Sequence, residues 1–134
     1  MIRQGPVSPW MHGIFEYVLA AAFIVVPFVL AFESGAAKAV SIVVGLALLV
    51  VAATTVGPTS IIDQLPVSVH ILLDYVLVAV LVASPFLFGF SGETRPTAFF
   101  IGVGVLHLLI TIGTRFLRAK PAESRAGAPP ARRQ

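Results

Sequence analysis

Four apolar runs, at residues 14–32, 37–56, 69–90 and 97–117, fix most of what this chain can become. Each holds 19 to 22 residues. A helix rises about 1.5 Å per residue, so each run reaches about 30 Å, the thickness of a bilayer's hydrocarbon core. β-Branched residues are common in the runs, which in water would hint at strands. The runs are too long for that and lack period-two alternation. In lipid a helix satisfies its own backbone hydrogen bonds, so four helices are predicted. Composition agrees: 57% of residues are hydrophobic and 11% charged, against about a quarter charged in a soluble domain. The excess apolar surface is expected to face the lipid bilayer.

The joints fix the order of packing. The stretches at 33–38 and 91–96 are short, polar and glycine-containing, and they force antiparallel neighbours. The stretch at 57–66 begins Gly-Pro and ends Leu-Pro, the signature of a loop. The chain is therefore divided into an N-terminal segment (1–13), a two-helix membrane unit (14–56), a loop (57–68), a second unit (69–117) and a basic tail (118–134). The tail is rich in Pro, Ala and Arg and reads as disordered. The first run is read as a retained helix, because Glu16 and Pro27 interrupt it and it is as long as a full span. With four spans, seven Lys and Arg fall on the side of the termini and two on the side of the hairpins. That asymmetry predicts both termini in the cytoplasm. There are no cysteines, which excludes disulfides, thiolate metal sites and thiol nucleophiles. The positive charge sits in the tail and forms no distributed basic face, so nucleic acid is not an expected partner.

The two halves repeat. Shifted by 58 residues, His12 falls on His70, Glu16 on Asp74, Tyr17 on Tyr75, Pro27 on Pro85, Phe28 on Phe86 and Phe32 on Phe90. Eight of 23 positions are identical between 12–34 and 70–92. With one residue added in the second hairpin, Gly45 meets Gly104 and Thr55 meets Thr114. Oily segments align by chance on Leu and Val, but rarely on His, an acid, Tyr and Pro together. Each unit has an even number of spans, so the copies enter the membrane in the same direction, about a pseudo-twofold along its normal. The predicted fold is all-α: an integral membrane four-helix protein from two parallel-oriented two-helix repeats.

The run Ser84-Pro85-Phe86-Leu87-Phe88-Gly89-Phe90 resembles the motif of the SPW-repeat family of small bacterial membrane proteins, named for Ser-Pro-Trp followed by a Leu/Gly/Phe run. The match is best over 66–115. Val26-Pro27-Phe28 through Phe32 is a weaker copy, with Phe in place of Trp in both halves and no Ser in the first. A literal Ser8-Pro9-Trp10 precedes the first run without that continuation, and is set aside. The resemblance implies a helical protein of the bacterial cytoplasmic membrane and carries no assigned chemistry.

Pro27 and Pro85 each lie inside a span and each free a carbonyl. Ser84 is expected to offer a substitute bond, and Phe28/Phe32 and Phe86/Phe90, at i,i+4, to form a ridge on one face. The proline either shapes a cavity or kinks a helix to seat it. Gly45, Gly102 and Gly104 are expected to admit a neighbouring helix. His107, near the middle of the fourth run, has no copy in the first half. It is a possible intramembrane polar site or a neutral imidazole bonded to a neighbour such as Thr111. His12 and Glu16 share one helix face, as do His70 and Asp74, with Tyr17 and Tyr75 turned away. The expected cluster is His12, Glu16, Tyr17, His70, Asp74 and Tyr75 at the cytoplasmic rim, with Arg115 and Arg118 at the same level as partners for the acids. It is read as a structural lock. The alternative joins two His and two carboxylates about the pseudo-axis as a metal or proton site.

No residue is assigned as catalytic, no metal ligand is assigned and no cofactor is expected. No metallohydrolase motif, nucleophile with a base, or large loop is present, so the protein is expected not to be an enzyme. The expected function is that of a small polytopic membrane protein that packs with itself, as a homo-oligomer, or with a membrane partner complex. The alternative is a small oligomeric ion or proton transporter or channel using the His/acid cluster. The basic tail is expected to touch anionic lipid.

Overall fold

The computed structural model describes residues 5–116. Arg118 and the rest of the basic tail lie outside the described residues. Four helices follow one another: α1 (Pro9–Val29), α2 (Gly35–Thr54), α3 (Val67–Leu87) and α4 (Thr94–Gly113). All four are long and apolar enough to cross a membrane. Their outer faces carry exposed Val18, Val25, Val43, Val50, Leu72, Leu109 and Ile112, a surface that only lipid can cover at low cost. The fold is that of an all-α, four-helix membrane protein.

Every helix starts earlier than its apolar run. The difference is largest in α1, which begins at Pro9 rather than at residue 14. The Ser8 side chain accepts a hydrogen bond from the Met11 N–H at 3.2 Å, and Pro9 takes the first helical position, where a missing N–H costs nothing. Ser8-Pro9-Trp10, set aside in the sequence, is thus the cap that starts the first helix. Hydropathy marks where a helix enters oil; capping chemistry marks where it begins.

The Pro-Phe signature builds a helix end. In α1 the Phe32 N–H bonds the Pro27 carbonyl at 2.9 Å, and in α3 the Phe90 N–H bonds the Pro85 carbonyl at 2.9 Å. Between them, Ala31 (φ 49°) and Gly89 (φ 73°) take the left-handed conformation. This six-to-one bond around a left-handed residue is a Schellman-type stop. It turns the following Phe32 and Phe90 into the core, whereas Phe28 and Phe86 are 63% and 65% exposed. The expected i,i+4 ridge is therefore corrected, because the second Phe of each pair lies beyond the helix. Ser84 also differs from expectation. Its hydroxyl donates to the Val80 carbonyl at 2.6 Å, not to the Leu81 carbonyl that Pro85 frees. The carbonyl freed by Pro27 is that of Phe23, and Ser41 of α2 donates to it at 2.5 Å.

Within each hairpin the helices pack closely. A Cβ on Gly45 would lie 2.8 Å from the Ala20 carbonyl oxygen, and one on Gly104 would lie 3.3 Å from Leu81 Cβ. Gly102 has open space around it, which corrects its expected packing role. The helices form a square, with α1 beside α2 and α4, and α3 beside α4 and α2.

The two hairpins are clasped reciprocally. Val7 pairs with Thr114, and Leu65 pairs with Thr55. Val7 donates its N–H to Gly113 O (3.0 Å), and its carbonyl accepts from Arg115 N–H (3.0 Å); Leu65 does the same with Thr54 O (2.8 Å) and Val56 N–H (3.0 Å). Each bond has its partner under the 58/59-residue shift, so each repeat holds the end of the other. Toward the hairpin turns the interior is sealed by Phe23, Phe32, Leu81, Phe90, Phe99 and Phe100. Toward the clasp it is polar.

Candidate functional site: a buried histidine–carboxylate cluster

His12 and Glu16 lie on α1, His70 and Asp74 on α3, and these helices face each other across the diagonal of the square. Glu16 is seven residues past Pro9, so it sits about 10 Å inside the helix end at 1.5 Å per residue. Asp74 is placed likewise, seven residues past Val67. Each acid therefore lies about two turns inside its helix. The four side chains are 2%, 1%, 3% and 2% exposed, in the order His12, Glu16, His70, Asp74.

Their inner atoms converge. His12 Nε2 is 3.4 Å from Asp74 Oδ2 and 3.7 Å from Glu16 Oε1. His70 Nε2 is 3.4 Å from Glu16 Oε1 and 3.5 Å from Asp74 Oδ1. The two Nε2 atoms are 3.5 Å apart. The repeats are thus cross-linked: each histidine meets the carboxylate of the other repeat as well as its own.

The outer ring nitrogens are held by threonines from the opposite repeat. His12 Nδ1 is 2.9 Å from Thr114 Oγ1, and His70 Nδ1 is 2.9 Å from Thr55 Oγ1. Each hydroxyl donates its own proton one turn back, Thr114 to the Ile110 carbonyl and Thr55 to the Val51 carbonyl, both at 2.6 Å. A hydroxyl has one proton. Each threonine can therefore only accept from the imidazole, and each Nδ1 carries a hydrogen. This assigns the tautomer and directs both Nε2 atoms at the carboxylates.

The symmetry then breaks. His107 of α4 occupies the place of Leu48 in α2. It is fully buried, and its Nε2 is 3.4 Å from Asp74 Oδ1. Its ring stacks on Phe15 at 6.1 Å with a 19° tilt. Thr111 donates to Asp74 Oδ2 at 3.3 Å rather than bonding His107 as expected. Asp74 thus accepts a bond from Thr111 of α4, whereas Glu16 Oε1 and both ring nitrogens of His107 are buried without a hydrogen bond.

Other candidates fall elsewhere. The Tyr17 hydroxyl donates to the Thr59 carbonyl at 3.0 Å, and Tyr75 is exposed. Arg115 follows the end of α4, exposed, with its backbone in the clasp. The acids face histidines instead of this arginine, which corrects its expected pairing. Three contributors were not assigned from sequence. Phe15 backs His107. Phe116 lies against His12 and His70 at 5.0 and 6.0 Å. The threonine pair was visible only as a repeat marker.

Two openings reach the cluster. A cavity of about 250 Å³ enters at the clasp end, between Pro9, Gly13, Thr55, Thr59 and Phe116, down to His12, Glu16 and His70. A crevice of about 290 Å³ opens sideways between α2 and α3, lined by Val44, Leu48, Leu73 and Val80, with Glu16 and Asp74 at its floor.

Duplicated two-helix units, lipid-compatible outer faces and a shared buried junction define a multi-pass membrane protein built from a tandem repeat. A family model described as the SPW repeat domain matches residues 7–114, and the chain belongs to the SPW repeat family. The matched region spans both repeats and runs from one clasp residue to its partner. No curated protein and no solved structure matches the chain.

Proposed function

We propose that this is a non-enzymatic protein of the bacterial cytoplasmic membrane, with both termini in the cytoplasm, that holds a small cation at the junction of its repeats. The observation that carries the reading is the convergence of two carboxylates and two imidazoles, at most 3% exposed, in a membrane-spanning bundle. Ionisable groups at such depth cost several kcal/mol each unless their charge is balanced. A cation bound between the repeats supplies that balance. The clasp-end cavity gives access from the side of the termini, and the aromatic core closes the other half. That arrangement favours one-sided binding over a pore. The Thr–His–carboxylate order superficially resembles a hydrolytic triad. The threonine proton is committed to a backbone carbonyl and the hydroxyl is an acceptor, which favours a structural role for it.

The test is denaturant unfolding in mild detergent across the neutral pH range, with and without added divalent cations. Stability should respond to protons or metal in the wild type, and the response should vanish in Glu16→Gln/Asp74→Asn. A wild type indifferent to both would overturn the reading.

A second reading, packing with another copy or a membrane partner, is favoured by the crevice between α2 and α3. In the matching position of the other pair, between α1 and α4, Phe15 and His107 stack on each other. The basic tail is proposed to meet anionic lipid.

A further inference from the structure

We propose that His12 Nε2, His70 Nε2, a Glu16 oxygen and an Asp74 oxygen are the four ligands of a divalent first-row transition metal ion of the zinc class. This inference rests on the cation-binding reading and specifies its ligand.

Distances between the inner atoms make the first argument. Charge-assisted hydrogen bonds between these groups would draw them to about 2.7–2.9 Å. The five contacts, which use Asp74 Oδ2 toward His12 and Asp74 Oδ1 toward His70, are instead 3.4, 3.7, 3.4, 3.5 and 3.5 Å. Ligands at about 2.0–2.1 Å from a tetrahedral ion lie about 3.3–3.4 Å from each other. These contacts are longer than such hydrogen bonds and close to the ligand–ligand spacing around a shared central ion. All four ligand atoms lie within 4.8 Å of one another.

The unpaired atom makes the second argument. Glu16 Oε1 is buried and has no hydrogen bond, although two Nε2 atoms stand within 3.7 Å of it. An acceptor aimed at other acceptors is costly unless something positive sits between them. The threonine-fixed tautomers give both Nε2 atoms lone pairs on the inner side. Metal-ligating histidines ordinarily donate their other ring N–H to an outer partner that fixes the ring. Thr114 and Thr55 do this here. Thr111 does the equivalent for Asp74 at 3.3 Å.

Charge makes the third. With neutral imidazoles the ligand set carries two negative charges, which one divalent ion cancels inside a low-dielectric bundle. Two nitrogen and two carboxylate donors suit zinc, cobalt or related ions better than magnesium or calcium, which take all-oxygen sets. The site also joins the repeats, since each contributes one histidine and one acid. Binding would tie α1 to α3 where the backbone clasp already holds the bundle's end.

The experiment uses the full-length chain, purified in mild detergent and stripped with chelator. It is titrated with Co²⁺. The expected result is one ion per chain, with the intense visible absorption of four-coordinate cobalt, displaced by Zn²⁺ and not by Mg²⁺ or Ca²⁺. His70→Gln and Glu16→Gln should each abolish that spectrum, and Thr55→Val should weaken binding about 10–100-fold. X-ray absorption of the zinc-loaded wild type needs no variant and should show four N/O ligands with scattering from two imidazoles. Absence of bound Co²⁺ and Zn²⁺, or a spectrum unchanged in His70→Gln, would sink the metal site. If metal fails to bind while wild-type stability still follows pH through Glu16 and Asp74, the cation-binding reading survives with the proton as its ion. If both responses are missing, both readings fall.

Discussion

Replacing Thr114 or Thr55 by Val changes a hydroxyl for a methyl of nearly the same shape. In each case the hydroxyl donates to a backbone carbonyl at 2.6 Å and accepts from a histidine Nδ1–H at 2.9 Å. The carbonyl keeps a helical partner, so little is lost there. The imidazole loses its only acceptor at that nitrogen, inside a cluster about 2–3% exposed. Leaving a buried donor unpaired costs about 1–3 kcal/mol. Thr114 is buried, and its loss should cost about 2 kcal/mol; Thr55 is half-buried, so water softens its loss to about 1 kcal/mol. Unfolding in mild detergent with chelator present measures both. Thr54 is the internal control, since it makes the same bond one turn back, to the Val50 carbonyl at 2.8 Å, but meets no histidine. Thr54→Val should be neutral within about 0.5 kcal/mol. Nitrogen NMR of the ring atoms adds an orthogonal readout, with the affected histidine shifting its proton from Nδ1 to Nε2. Equal costs for all three variants, with unchanged tautomers, would refute the claim that the threonines orient the histidines.

Two further predictions concern helix ends. Ser41→Ala should cost about 1–2 kcal/mol, because it strands the Phe23 carbonyl that Pro27 has already freed. In a Pro27→Ala background the new N–H can take that carbonyl, so a double-mutant cycle by detergent unfolding should show coupling near 1 kcal/mol, and zero coupling would contradict the assignment. Ala31 holds the left-handed conformation that Gly89 holds in the other repeat. Ala31→Gly should therefore be neutral to stabilising by up to about 1 kcal/mol, and Gly89→Ala destabilising by about 1 kcal/mol, as thermal unfolding of the two variants would show.

The apolar runs made four spans legible, because the bilayer sets helix length by a rule that needs no tertiary information. The repeat was legible too, since His, acid, Tyr and Pro recurring at one spacing is an improbable accident. His12, Glu16, His70 and Asp74 stood out for the same reason, as ionisable groups where lipid penalises charge. Helix starts were not legible from hydropathy. The cap at Ser8 and Pro9 lies outside the oily run, so hydropathy alone starts the first helix five residues late.

What the tertiary structure alone decided is who faces whom. Sequence grouped Tyr17 and Tyr75 with the cluster but turned them from its face, and only the fold shows that one reaches the Thr59 carbonyl and the other is exposed. Sequence offered Arg115 as a partner for the acids, while the fold sets His107 of α4 at 3.4 Å from Asp74. It showed Thr55 and Thr114 as matching letters, and only the reciprocal exchange between repeats makes each the partner of the other repeat's histidine. Periodicity within a helix determines which residues share a face. The distance across the bundle between α1 and α3, set by packing and clasp, determines that two such faces meet near 3.5 Å, and that spacing is what turns four polar residues into a candidate ligand set.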